Sequence, residues 1–200
     1  MKFVSKINAD ASTNTSGGVR GISTEQGTLR AFYNTVYLTG TATGTGHTSG
    51  ALFISGASGT VDSRDNILVN NYNPGASGTS AACFYSTRSD AQMVTSAQWV
   101  STSNNNILSN AGLSKSYYIT TSSASQSTLT GYQSLVSANS RETSTLAVSS
   151  VPFVNVSTLP SNLHIDLTAA TLCNINNKGV AISTPLSISD DIDGDSRNAT

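Results

Sequence analysis

The amino-acid sequence predicts an all-β chain folded as a right-handed parallel β-helix, a solenoid of about three to four coils of ~32 residues, with a less regular C-terminal capping region that contains one short helix. Three observations carry this expectation. Charged residues make up only 10% of the chain, against about 25% in ordinary globular domains, while serine and threonine supply about 30%. The hydrophobic 37% is gathered into short runs such as Val36-Tyr37-Leu38 and Leu52-Phe53-Ile54, which suit strands between polar turns rather than disorder. The third is an internal repeat, seen when the chain is shifted on itself by 32 positions.

At that offset Gly18-Val19-Arg20-Gly21-Ile22-Ser23 falls on Gly50-Ala51-Leu52-Phe53-Ile54-Ser55, which falls on Ala82-Cys83-Phe84-Tyr85-Ser86-Thr87. A second ladder shares the period: Lys2-Phe3-Val4, then Asn34-Thr35-Val36, then Asn66-Ile67-Leu68. No ten-residue amphipathic pattern occurs before residue 125, which excludes the helical repeats of similar length. Units this rich in strands bury their apolar side chains by stacking in parallel, about 4.8 Å apart. Sharp corners favour glycine and asparagine, since both tolerate positive φ. Asn34, Asn66 and Asn106 are expected to form an asparagine ladder at one corner, each amide bonding to its copies above and below. The same register sets Arg30 over Asp62, which predicts a surface ion pair worth at most about 1 kcal/mol.

The register slips after residue 88. Asn106-Ile107-Leu108 lies 40 beyond Asn66-Ile67-Leu68, and Tyr117-Tyr118-Ile119 lies 33 to 34 beyond Phe84-Tyr85. An insertion between Ala91 and Ser103 is expected to absorb the difference as a surface loop. The coils are accordingly assigned to residues 1–125 and the capping region of the same domain to 126–200. In that region Ser127 is placed to cap a short helix whose Leu129, Tyr132, Leu135 and Val136 share one face. Extended segments are expected at Val148–Val156 and Leu163–Leu167. A solenoid end otherwise exposes apolar core and unpaired strand edge, so covering it is the expected role of this region.

Composition excludes several classes of function. A net charge of −1 with scattered Lys and Arg gives no field or groove to gather nucleic acid. No apolar run approaches the ~20 residues of a membrane span. The start, Met1-Lys2-Phe3-Val4-Ser5-Lys6, lacks an apolar stretch, so a secretion signal is expected elsewhere in a longer parent chain. Cys83 and Cys173 are expected as buried reduced thiols in strands, with a disulfide as the alternative.

A polysaccharide hydrolase needs two or three acids converging on one face, and a lyase needs clustered acids with a basic side chain. The one acid pair inside the repeats, Asp62 and Asp65 around Arg64, is spaced to face opposite ways on a strand. Arg30 and Tyr33, not further acids, stack above them. His47 is expected in an exposed loop, and His164 faces out with Asp166. No catalytic or cofactor-binding residue is assigned. Thr39, Thr41, Thr43 and Thr45 suggest an ice-binding array, but their copies are Asn71, Asn73, Gly75 and Ser77, so none forms. The alternating acids Asp191, Asp193 and Asp195, with Gly194 between the last two, suit the start of a calcium loop. The alternative is a solvated acidic turn. Calcium is the single cofactor the residues suggest.

The series Asn34 to Gly40 (Asn-Thr-Val-Tyr-Leu-Thr-Gly), Ser49 to Gly56 and Val61 to Asn70 resembles large secreted bacterial surface proteins with parallel β-helix repeats, of the pectate-lyase-like superfamily. Tyr117-Tyr118, Gly131 to Leu135, Val151 to Val154, Asn162 to Ile165 and Asp191-Ile192-Asp193-Gly194-Asp195-Ser196-Arg197 extend the resemblance, the last being its most specific part. Ala170-Thr171-Leu172 departs from the usual Ser-Pro-Ala, and Thr200 precedes the family's usual ending. The resemblance implies a non-catalytic structural or adhesive module, secreted to the cell surface, contacting polysaccharide or other surface proteins. Two alternatives stand beside it: a fragment of a carbohydrate-active enzyme or its glycan-binding part, and a fibre subunit associating end to end.

Overall fold

In the computed structural model, residues 4–8, 18–42, 47–75, 80–95, 98–111, 115–120, 125–136, 140–159, 161–190 and 196 are described. The chain is all-β with parallel sheets. Strands β1 (Val4–Asn8), β2 (Gly18–Thr24), β3 (Thr28–Phe32) and β4 (Thr35–Thr39) are followed by β5 (Thr48–Ile54), β6 (Thr60–Arg64) and β7 (Ile67–Asn70). Then come β8 (Ser80–Ser86), β9 (Ile107–Ser109), β10 (Lys115–Ile119), helix α1 (Leu129–Val136), β11 (Leu146–Ala147), β12 (Phe153–Asn155) and β13 (Asn162–Ile165).

The strands recur in a fixed order, and each pairs in parallel with its successor. One sheet runs β1-β4-β7-β9-β11, a second β10-β8-β5-β2, and a third joins β3 to β6. Bridges from Val61 to Trp99 and Arg64 to Asn104 carry the third sheet onward. We call each successive set of strands a tier. A single apolar cluster draws Val19, Ile22, Val36, Leu38, Leu52, Val61, Leu68 and Phe84 from all three sheets. The antiparallel pair β12–β13 stands apart from these sheets.

The 32-residue register holds in the middle of the chain. Thr35 pairs with Ile67, Thr48 with Ser80 and Arg30 with Asp62. The slips to 40 at Ile67–Ile107 and to 34 at Phe84–Tyr118 fall as expected. Two offsets differ. Val4 pairs with Thr35, an offset of 31 rather than 32. Gly18 pairs with Thr48 and Ile22 with Leu52, an offset of 30. A shift of two leaves every side chain on its own face, so the residue pattern could not separate 30 from 32.

The missing two residues sit in a turn. Residues 25–27 connect β2 to β3, whereas 55–59 connect β5 to β6. The longer turn lies directly on the shorter one. A Cβ on Gly56 (φ +76°) would stand 1.9 Å from the Glu25 carbonyl oxygen, and one on Gly59 (φ +104°) 2.0 Å from that of Gly27. Only glycine permits that approach. From the tier above, the buried Arg88 closes the turn, donating to the carbonyls of Gly56 (2.8 Å), Ser58 (2.5 Å) and Gly59 (2.9 Å).

Three further expectations are corrected. The Ala91–Ser103 insertion is more than a surface loop: it forms a short π-helical turn at Ala91–Thr95 and buries Met93 and Trp99 completely. Parallel pairing does not stop at residue 125, where the coils were assigned to end, but recurs at Leu146 and Ala147, which pair with Ile107 and Leu108. The helix has the predicted face, with Tyr132 and Val136 buried and Leu129 and Leu135 packed beside the core. Its cap is Thr128 rather than Ser127, since the Thr128 hydroxyl accepts from the Gly131 N–H at 3.1 Å. Strands occupy only part of the two predicted extended segments.

Candidate functional site

The asparagine ladder forms, and it has a direction. Asn34 Nδ2 donates to Asn66 Oδ1 at 2.9 Å, and Asn66 Nδ2 donates to Asn106 Oδ1 at 3.0 Å. The backbone N–H groups of Asn34 and Asn66 donate to the same two oxygens. Asn66 and Asn106 thus accept from the tier before and donate to the tier after. A chain of this polarity must end on an acceptor, and it does. Asn106 Nδ2 donates to both carboxylate oxygens of Glu142, at 3.1 and 3.0 Å.

All four side chains are buried. The ladder asparagines do not themselves take positive φ, as the corner argument had supposed. The left-handed residues are the ones just before them, Tyr33 (φ 54°), Asp65 (54°) and Asn105 (58°). The asparagine is kept for its amide, and the turn is made one residue earlier.

Glu142 also takes positive φ (55°) and accepts a hydrogen bond from the Thr145 hydroxyl. Burial pushes its carboxyl up to about 7, against the opposing pull of the Thr145 and Asn106 hydrogen bonds and the Arg141 charge. Its carbonyl accepts from Gln133 Nε2 at 2.8 Å, so α1 is tied to the end of the ladder. Nothing in the sequence singled out Glu142, because no period places it. Its role depends on a backbone excursion between α1 and β11.

Beside it, Phe84, Trp99, Tyr118 and Tyr132 form a packed aromatic group with centroids 5.3 to 6.2 Å apart. Trp99 Nε1 and the hydroxyls of Tyr118 and Tyr132 are buried with no hydrogen-bond partner among the described residues. Burial first, then the Glu142 charge, raises the Tyr132 phenol well above its ordinary range. These groups are sealed in the core and support packing rather than chemistry.

The predicted acids go separate ways. Asp62 is clamped by the guanidinium of Arg64 on its own strand, at 2.7 and 2.5 Å, and accepts from Thr102. The expected Arg30–Asp62 ion pair is therefore corrected. Register stacks the two residues, but Arg64 is two residues away on the same face, and it holds the salt bridge found among the described residues. Asp65 instead accepts from the Val180 N–H at 2.7 Å.

His47 is buried, not exposed, and neither ring nitrogen has a hydrogen-bond partner among the described residues. His164 is exposed as expected, beside a half-exposed Asp166. Cys83 is a buried thiol in β8 as expected, whereas Cys173 is exposed on a 3-10 turn and neither is in a disulfide. Asp191, Asp193 and Asp195 lie outside the described residues, and so do Thr43 and Thr45. No described helix is long and apolar enough to cross a membrane. Comparison with protein-family models, curated proteins and solved structures returns no match.

Proposed function

We propose that the chain is a segment of a right-handed parallel β-helix that serves as a non-catalytic structural or adhesive module of a secreted bacterial cell-surface protein. The observation that carries this reading is the in-register stacking of tiers through a buried, one-directional amide ladder that ends on Glu142. Polar side chains in the interior are spent on holding one tier to the next. Asp62 and Asp65, the acids a hydrolase would need, are committed to Arg64 and to the Val180 backbone. The outer hydroxyls stack as well, with Thr60 Oγ1 donating to Thr28 Oγ1 at 3.1 Å. Exposed hydroxyls of this kind suit weak hydrogen bonding to glycans. The large apolar side chains exposed among the described residues, Val154, Leu159, Leu167, Val180 and Leu186, give the C-terminal part a surface suited to other proteins.

The test has two arms. A polysaccharide panel assayed for reducing ends and unsaturated products is expected to show no turnover. Turnover that disappears in Asp62→Ala overturns the reading. In the producing bacterium, antibody against this chain is expected to label intact cells, and signal found only after lysis overturns the surface assignment.

A further inference from the structure

The left-handed corners do more than turn the chain. Tyr33, Asp65 and Asn105 stand one above another, and their side chains all meet one segment, residues 178–184. Asn105 Nδ2 donates to the Lys178 carbonyl at 3.4 Å. Asp65 Oδ1 accepts from the Val180 N–H at 2.7 Å. The Tyr33 hydroxyl donates to the Val180 carbonyl at 2.6 Å and accepts from the Ile182 N–H at 2.9 Å. Next to the corner, Arg64 donates to the Thr184 carbonyl at 2.8 Å.

Successive tiers therefore hold one strap, residues 178–184, by its main chain at Lys178, Val180 and Ile182. Every strap atom in these bonds is main chain, so the corner column reads backbone rather than sequence. Side-chain fit enters at two points. Ile182 is buried, and a Cβ on Gly179 would stand 3.3 Å from Asp65 Oδ1. Ahead of the strap, the backbone bonds of residues 169–176 close locally, as Leu172 N–H to Ala169 and Ile175 N–H to Leu172. The backbone of that segment bonds within itself rather than into a tier.

We propose that the corner column is a backbone-reading groove for an extended polypeptide, and that it exchanges its own strap for the 178–184 strap of a second copy of this chain. The second copy is the occupant argued here because it carries the segment already seen to fit, Ile182 included. Exchange restores the same bonds in trans and leaves mainly the association entropy to be met, so concentration drives it. This is side-to-side pairing through a tail, distinct from end-to-end stacking, and it goes beyond the structural-module reading without depending on it.

Two full-length variants test it. In the strap-disabled chain, Val180→Pro with Ile182→Pro removes both strap N–H donors while the groove stays intact. In the groove-disabled chain, Tyr33→Phe with Asp65→Gly removes the receiving groups and keeps the left-handed corner accessible. Light scattering is expected to show each variant monomeric alone and a 1:1 complex on mixing. A fluorescent peptide of residues 178–185 is expected to bind the strap-disabled chain, about tenfold more weakly once Tyr33→Phe is added. Absence of both the complex and peptide binding overturns the groove. Peptide binding without a complex overturns the exchange. Circular dichroism and Trp99 emission check that the variants fold. If one does not, the unsubstituted chain is concentrated and warmed: a dimer fraction that falls in Tyr33→Phe is expected, and an unchanging monomer overturns the proposal.

Discussion

Glu142 shows how one residue can set the conditions under which a fold is stable. It is wholly buried, ends the amide ladder and sits beside Arg141 in the chain. Burial raises its carboxyl from an ordinary 4.5 to about 7, so the folded protein holds this proton more tightly than the unfolded chain does. The resulting stability is fully present below about 4.5 and is lost as pH rises through about 7. Across that window the loss is on the order of 3 kcal/mol. Glu142→Gln keeps an amide oxygen to accept from Asn106 and removes the titration. Urea unfolding at a series of pH values is expected to show the variant gaining on the native protein as pH rises from 4.5 to 8. A difference that stays constant, or that grows toward acid, would sink this account.

At the scale of elements, the β5–β6 turn shows a close approach deciding a residue. Gly27 and Gly59 occupy matching places in stacked turns, and both have positive φ, 84° and 104°. Their surroundings differ. A Cβ on Gly27 meets nothing within 4 Å, whereas one on Gly59 meets the Gly27 backbone at 2.0 Å. Gly27→Ala is therefore expected to cost only the backbone strain of a left-handed alanine, about 1 kcal/mol. Gly59→Ala must also push two turns apart and is expected to cost at least twice as much, read as a larger drop in urea midpoint. Equal losses would show that the turns are not packed as described. The same scale explains the helix cap. Ser127 and Thr128 are both competent hydroxyl residues, and the choice falls to Thr128 because its backbone lies one residue before the first helical turn.

For the whole molecule, the contact that ties helix α1 to the stacked strands is aromatic. Helix α1 supplies Tyr132, which packs on Tyr118 at 5.4 Å, Phe84 at 5.7 Å and Trp99 at 6.2 Å. Trp99 is the single tryptophan in the chain, so its emission reports on this contact directly. Tyr132→Ala is expected to cost about 3–5 kcal/mol and to shift Trp99 emission to the red. The emission transition should then precede the far-ultraviolet circular dichroism transition on denaturation, because α1 opens before the tiers separate. Coincident transitions in the variant would instead make α1 and the tiers one cooperative unit.

Much of this fold is legible in the residues alone. Short apolar runs at a repeating distance determined parallel strands, and the spacing of Asn34, Asn66 and Asn106 by itself announces a ladder, because a stacked amide recurs with the period of the stack. The in-and-out pattern has a period of two, so it constrained register only to within two residues, and β2 took 30 where the repeat suggested 32. The features closest to function were hidden for a related reason. Glu142 and the strap on Tyr33, Asp65 and Asn105 join residues 36 to 149 positions apart, and neither of them, nor the buried His47, belongs to a repeat. Local pattern carries propensity and period, while the choice of partner for Asp62 or the depth of His47 depends on which segments arrive beside them. Those were decisions of the tertiary structure, made by the space and the unpaired polar groups that stacking left behind.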